Sequence, residues 1–144
     1  MNVAALRNYR AQVADVLKAE LAELESKLRA AVDGLRLLDA RAESDARRYL
    51  ADAKTGLTTE EVADRYATMD ALADAIRRTQ ALVAEARAQR DRKLAEVLEA
   101  SREKRKLELI EQRQAKRARL TEERRGQQTL DEAAGRRFHR DRER

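Results

Sequence analysis

The stretch Gly56-Leu57-Thr58-Thr59-Glu60-Glu61-Val62 reads as the end of one helix and the start of another. Gly56 can take the left-handed conformation that ends a helix, and Leu57 behind it can fold back as the apolar contact of such an ending. Thr58 fits the N-cap of a second helix, with Glu61 three residues on completing a capping box. Leu57 before the cap and Val62 at the fourth helical position form the pattern of a hydrophobic staple. The competing reading is a mid-helix glycine in one continuous rod, at a cost of ~1 kcal/mol. Agreement of the ending, the cap, the box and the staple within so short a stretch favours the turn.

Composition says what the turn connects. The chain has 144 residues, with no Pro, Cys or Trp, one Phe and 41% charged residues. Aromatic-poor sequences rich in Ala, Leu, Glu and Arg build coiled coils and long helices rather than globular cores. Absence of proline permits helices of many turns. Absence of cysteine removes disulfides and thiol chemistry and fits a cytoplasmic protein. No apolar run approaches the ~20 residues of a membrane span, and no signal-peptide pattern opens the chain.

Working outward from the turn, the apolar residues recur at spacings of four and three. Before it, Leu17, Leu21, Leu24, Leu28, Ala31, Leu35, Leu38, Ala42 and Tyr49 follow one seam, with Arg10 and Asp45 at core positions. Leu6 and Val13 lie beside that seam. A heptad repeat of this kind predicts a left-handed supercoil, and the helix, about 80 Å at ~1.5 Å per residue, spans roughly residues 3–54. After the turn, Val62, Tyr66, Met69, Ala73, Ile76, Val83, Leu94 and Val97 mark a second seam, interrupted by Gln80, Arg87 and Arg90. Leu107, Leu109 and Ile110 are its last cluster. If the chain reverses at Gly56, residue i faces roughly residue 113−i, so Leu38 meets Ile76 and Leu17 meets Val97. The fold class expected is all-α, a long antiparallel two-helix coiled-coil hairpin with a basic C-terminal helical overhang. Residues 1–112 form the hairpin (turn 55–58, second helix from 59), and residues 113–144 extend its second helix as a partly frayed end.

Charge divides the chain at the same place. Residues 1–112 hold 21 Lys+Arg and 21 Asp+Glu, whereas residues 113–144 hold 11 against 6. The whole formal charge of +5 therefore sits in the last segment. A neutral shaft with a basic end points to two different jobs.

Several function classes are disfavoured. Two helices bury a stripe, whereas ligand sites are usually concave. His139 is the sole histidine and has no cysteine or carboxylate cluster at metal spacing, so no metal or cofactor site is expected. There is no Gly-rich phosphate loop and no nucleophile–base set. A non-enzyme is expected. Arginine-rich helices can track nucleic-acid phosphates. Here only Phe138 offers a ring to stack on a base, and Glu122-Glu123 and Asp131-Glu132 interrupt the basic tail, so no nucleic-acid partner is expected. The tail has almost no bulky apolar face for a membrane surface. Docking against a protein partner is the favoured use, and Gly126 and Gly135 suggest that ordering accompanies it.

The tail also carries a specific pattern. Glu122, Arg124, Gln127, Leu130, Asp131, Glu132, Ala134 and Arg136 match, in register, the spacing Glu-x-Arg-x-x-Gln-x-x-(Leu/Met)-Asp-Glu-x-Ala-x-Arg. In this the chain resembles the C-terminal signature of the flagellar export protein FliJ family. Leu6-Arg7 with Arg10, and Thr55-Gly56-Leu57 followed by a Tyr-containing helix, are similar to that family's opening and turn.

The resemblance implies a stalk similar to the two-helix γ subunit of rotary ATPases, at the cytoplasmic base of the flagellar type III export apparatus. Its implied partners are the hexameric export ATPase, the cytoplasmic domain of the export gate and export chaperones, with membrane association only through those partners. Arg124, Gln127, Leu130, Asp131, Glu132 and Arg136 become the candidate ATPase contacts. Tyr66, Met69, Leu72 and Ile76 become the candidate export-gate contacts, with Leu72 the one expected to lie off the seam. An injectisome stalk protein shares this plan. The alternative from another class is a self-associating structural coiled coil, which the capped turn disfavours because an intramolecular hairpin uses up its own seam.

Overall fold

The computed structural model describes residues 2–143; Met1 and Arg144, the outermost positions of the two expected segments, lie outside them. Among the described residues there are two elements, α1 (Val3–Thr55) and α2 (Thr59–Arg142), and no strand. The helices pack against each other antiparallel, as the facing seams require. The chain divides into two compact units, residues 15–99 and a second one joining residues up to 14 with those from 100 onward.

The turn belongs to the first unit. Gly56 has φ of 100°, the one positive φ among the described residues and a conformation that a Cβ would strain. The Thr55 hydroxyl donates to the Asp52 carbonyl at 2.9 Å, satisfying one of the acceptors that a helix end leaves open. The capping box forms as the sequence predicts: the Thr58 amide donates to Glu61 Oε2 at 2.9 Å, and the Glu61 amide donates to Thr58 Oγ1 at 3.2 Å. The Val62 amide then donates to the Thr58 carbonyl at 3.0 Å and begins the α2 ladder. Leu57 and Val62, the two staple positions, are half-buried. Arg65 reaches back across the turn to Asp52 at 2.6 Å.

The α1 seam is the expected one. Leu17, Leu21, Leu24, Leu28, Ala31, Leu35, Leu38, Ala42 and Tyr49 are all half-buried, and so is Asp45 at its core position. The α2 seam differs from expectation at five positions. Arg65, Leu72, Thr79, Ala86 and Lys93 are covered, whereas Tyr66, Ala73, Gln80, Arg87 and Leu94 are exposed. Val62, Met69, Ile76, Val83, Arg90 and Val97 keep their expected places. Each error is one residue: at Arg65 and Lys93 an aromatic or apolar neighbour outbids the polar residue in a pattern read from hydropathy, and the phase so set carries through Leu72, Thr79 and Ala86. The physical answer is that Arg65 and Lys93 lay aliphatic stems along the seam while their charged heads reach carboxylates. Lys93 Nζ lies 2.7 Å from Glu20 and 2.9 Å from Glu96. Leu72, expected off the seam, is a core residue with Val83 and Val97.

In the second unit, Asn2 caps α1: the Ala5 amide donates to Asn2 Oδ1 and the Leu6 amide to the Asn2 carbonyl, each at 3.2 Å. Ala14 is fully covered, Arg10 is half-buried at its expected core position, and Arg7 pairs with Glu111 at 2.6 Å. From Gln112 to Glu143 every residue of the chain is exposed, and α2 runs on as helix through Gly126 and Gly135.

Replacing Thr58 with Ala removes one bond of the capping box and should lower stability by about 1 kcal/mol in a urea titration. Leu72→Ala leaves a void between the helices and should cost about 2–3 kcal/mol in the same measurement. Alkaline stability follows from two groups. Hydrogen bonds to Glu20 and then Glu96 raise the Lys93 ammonium above its ordinary 10.5, and burial followed by the facing Tyr66 raises the Tyr49 phenol above 10.0. Groups raised in the folded state contribute stability that is complete below their ordinary values and lost as pH climbs through the raised ones. Stability should therefore hold up to about pH 10 and decline above it. The decline should be shallower in Lys93→Gln, as followed by circular dichroism melts.

Candidate functional site

Within the turn-bearing unit, the four candidate gate residues do not form one exposed stripe. Tyr66 is 55% exposed and packs edge-on against Tyr49, with ring centroids 5.9 Å apart. Met69 and Ile76 are half-buried in the seam, and Leu72 is buried beneath it. What is accessible there is a groove of about 360 Å³ lined by Arg41, Asp45, Arg48, Tyr49, Arg65, Thr68 and Met69. A smaller one of about 240 Å³ shares Arg41 and Thr68 with it and adds Leu38, Ala71, Leu72 and Ala75.

The cause of these grooves is local. Thr68, Ala71 and Ala75 recur at helical spacing beside the α2 seam, and their short side chains leave the edges of Leu38, Met69 and Leu72 uncovered. Arg41 and Arg48 border the opening from α1. Arg41 lies 3.9 Å from Asp45, while Arg48 has no carboxylate partner among the described residues. The sequence reading missed Arg41, Arg48 and Thr68; the run of small residues beside a seam of large ones was the signal that could have found them.

The second surface is the exposed arm of α2. All six candidate ATPase contacts lie on it and are exposed, Leu130 to 67%. Helical periodicity puts Arg124, Gln127 and Asp131 on one face, and the Gln127 side-chain amide donates to Asp131 Oδ1 at 3.4 Å. Glu132 and Arg136 form a separate pair, 4.0 Å apart, on another side. Leu130 borders the first face rather than bridging the two. Leu120, Ala134 and Phe138 complete that face at intervals that match Gln127, and the sequence reading did not count them among the contacts. Phe138 is 62% exposed, with the Arg142 guanidinium 5.5 Å from its ring centroid. These surfaces are rich in guanidinium donors with a few exposed apolar side chains.

Among the described residues no group of His, Cys, Asp or Glu could hold a metal ion, and no helix is long and apolar enough to cross a membrane. In comparisons with known proteins, the family model described as Flagellar FliJ protein matches residues 2–143. No curated protein and no solved structure matches the chain. A family match over all but the two terminal residues agrees with the capped turn, the paired helices and the signature on the arm: the chain belongs to the flagellar FliJ protein family and is a component of the flagellar type III protein export apparatus.

Proposed function

We propose that the chain is the central stalk of the export ATPase ring, linking that ring to the cytoplasmic domain of the export gate and escorting export chaperones, without catalysis of its own. The observation that carries this reading is the arm. A helix that stays exposed from Gln112 to Arg142, in the segment that holds the whole formal charge of +5, is open to a partner along its length. Opposite charges across such a surface steer encounter and fix register, and salt weakens them. Arg124, Gln127, Leu130, Asp131, Glu132 and Arg136 are the contacts assigned to the ATPase. A stalk changes turnover in a ring only by binding one arrangement of its subunits better than another. The location that follows is cytoplasmic, at the base of the export apparatus.

For the gate, the reading is supported by the groove beside Met69. Its Tyr49 and Met69 side chains, set among arginines of which Arg48 is unpaired, suit a segment carrying both apolar and acidic side chains. Tyr66 and Arg48 are the accessible contributors, while Met69, Leu72 and Ile76 act mainly by holding the two helices together beneath them.

Two outcomes test this. Deleting residues 113–144 should leave a folded, shorter hairpin that no longer stimulates ATP hydrolysis and whose residual binding to the ATPase is insensitive to salt. A truncated protein that stimulates the ATPase as fully as the intact chain would remove the arm from the mechanism. At the other surface, Tyr66→Ala and Arg48→Ala should each weaken gate binding several-fold, about 1 kcal/mol, in titration calorimetry with melting nearly unchanged. Leu72→Ala should lose stability together with binding.

A further inference from the structure

Within the turn-bearing unit, α2 carries a second seam that overlaps the one in use. Its covered positions fall into two series. One is Val62, Met69, Ile76, Val83, Arg90 and Val97; the other is Arg65, Leu72, Thr79, Ala86 and Lys93. The residues that follow the second series are Tyr66, Ala73, Gln80, Arg87 and Leu94, and they too alternate with the first series at spacings of three and four. Either set completes a heptad seam with it. Exchanging the two needs no axial slippage. It needs only a turn of α2 about its own axis by about 50°, half of one residue's step around the helix. On α1 no such choice exists. Replacing Leu17, Leu24 and Leu38 by the residues after them gives Lys18, Glu25 and Asp39, and replacing Leu21 and Leu28 by those before them gives Glu20 and Lys27.

By apolar content the two seams of α2 are close. The one in use covers Leu72, Thr79 and Ala86 and lays the Arg65 and Lys93 stems between the helices. The other would cover Tyr66 and Leu94 with Ala73 and Gln80, and at these levels would hold one cation, Arg87, in place of two. Tyr66 and Leu94 now stand 55% and 39% exposed, and Tyr66 already meets the seam residue Tyr49 edge-on at 5.9 Å. Charge is what separates the two. Arg65 reaches Asp52 at 2.6 Å and Lys93 reaches Glu20 at 2.7 Å, each pair joining one helix to the other. Taking away one partner of a covered ion pair leaves a charge without compensation, which costs more than the pair itself contributes. Glu96 lies on α2 with Lys93, so that contact does not favour either seam.

We propose that α2 is a two-phase element: the pairs Asp52–Arg65 and Glu20–Lys93 hold it in the phase that exposes Tyr66 and Leu94, and their loss lets it turn to the phase that buries both. The hairpin, the levels at which the helices face and their helix content are the same in the two phases. The surface offered to other molecules is not. A partner shifts such an equilibrium only through contacts that differ between its states, and Tyr66 is one of these. That consequence rests on the gate reading given above; the turn of α2 does not, and it is tested on the chain alone.

Single cysteines at two adjacent positions report the phase in the full-length chain, which has no cysteine of its own. Thr79 is half-buried and Gln80 is exposed, so a maleimide should modify Gln80→Cys about tenfold faster than Thr79→Cys. In a Glu20→Gln/Asp52→Asn background, Thr79→Cys should speed up and Gln80→Cys should slow down. The ratio should then fall to about one or invert, with helicity by circular dichroism unchanged. Adding Leu94→Lys, which sets a charge in the alternative seam, should bring the original ratio back. A ratio that the Glu20→Gln/Asp52→Asn background leaves unchanged overturns the proposal. So does faster labelling at Thr79→Cys with no protection gained at Gln80→Cys, or a lowered ratio that Leu94→Lys does not restore, because each marks a loosened pair of helices rather than a turn of one.

Discussion

The reversal at Gly56 sets the register on which the rest of the chain depends. A left-handed residue follows α1, and two residues later a reciprocal pair of hydrogen bonds between Thr58 and Glu61 starts α2. Once those positions are fixed, each residue of one helix has a defined level on the other. Slippage by one residue would rotate a seam away from its partner and expose it. The pair of Asp52 and Arg65 braces this register across the turn, and Lys93 with Glu20 repeats the constraint farther along the same unit.

The seam that this register brings together is only partly apolar. Its buried residues are few, and Arg65, Arg90, Lys93 and Thr79 occupy levels where a more stable coiled coil would place leucine. Polar residues at core positions specify register and partner at some cost in stability. Lys93 accepts that cost with two carboxylates at hand, Glu20 from α1 and Glu96 from its own helix. The consequence is a hairpin that discriminates against alternative alignments more strongly than its apolar content alone would suggest. It also leaves room beside the seam, where short side chains such as Thr68 and Ala71 open grooves that a uniformly large-residue seam would close.

The turn was legible in the sequence residue by residue, because its signals are local: a glycine, a cap and a box at fixed offsets. The α1 seam was legible for the same reason that its leucines are regular. The α2 seam was misread by one residue at Arg65, Leu72, Thr79, Ala86 and Lys93: hydropathy cannot see that the Arg65 and Lys93 stems cover apolar surface, and a phase anchored on Tyr66 and Leu94 instead carries through the three positions between. That single error displaced Leu72 from core to surface in the reading of the candidate gate contacts. The arm was recognisable from its signature, but Leu120 and Phe138 were not, because they share a face with Gln127 without sharing its motif. The grooves depend on where small residues fall relative to a correctly phased seam, so they were out of reach until the phase was known.

The central claim is that one chain pairs its own two helices, leaving the arm and the grooves as surfaces for other proteins. The chain contains no cysteine, so a disulfide reports on this pairing without background. Leu38 and Ile76 are half-buried seam residues that the register puts at one level, and Leu38 lines one groove with Leu72 and Ala75. Cysteines placed at both positions should oxidise within one chain, giving a product of monomer mass whose formation rate does not depend on protein concentration. Disulfides found only between chains, with dimer mass and a rate that rises with concentration, would contradict the hairpin and make the seams an intermolecular interface.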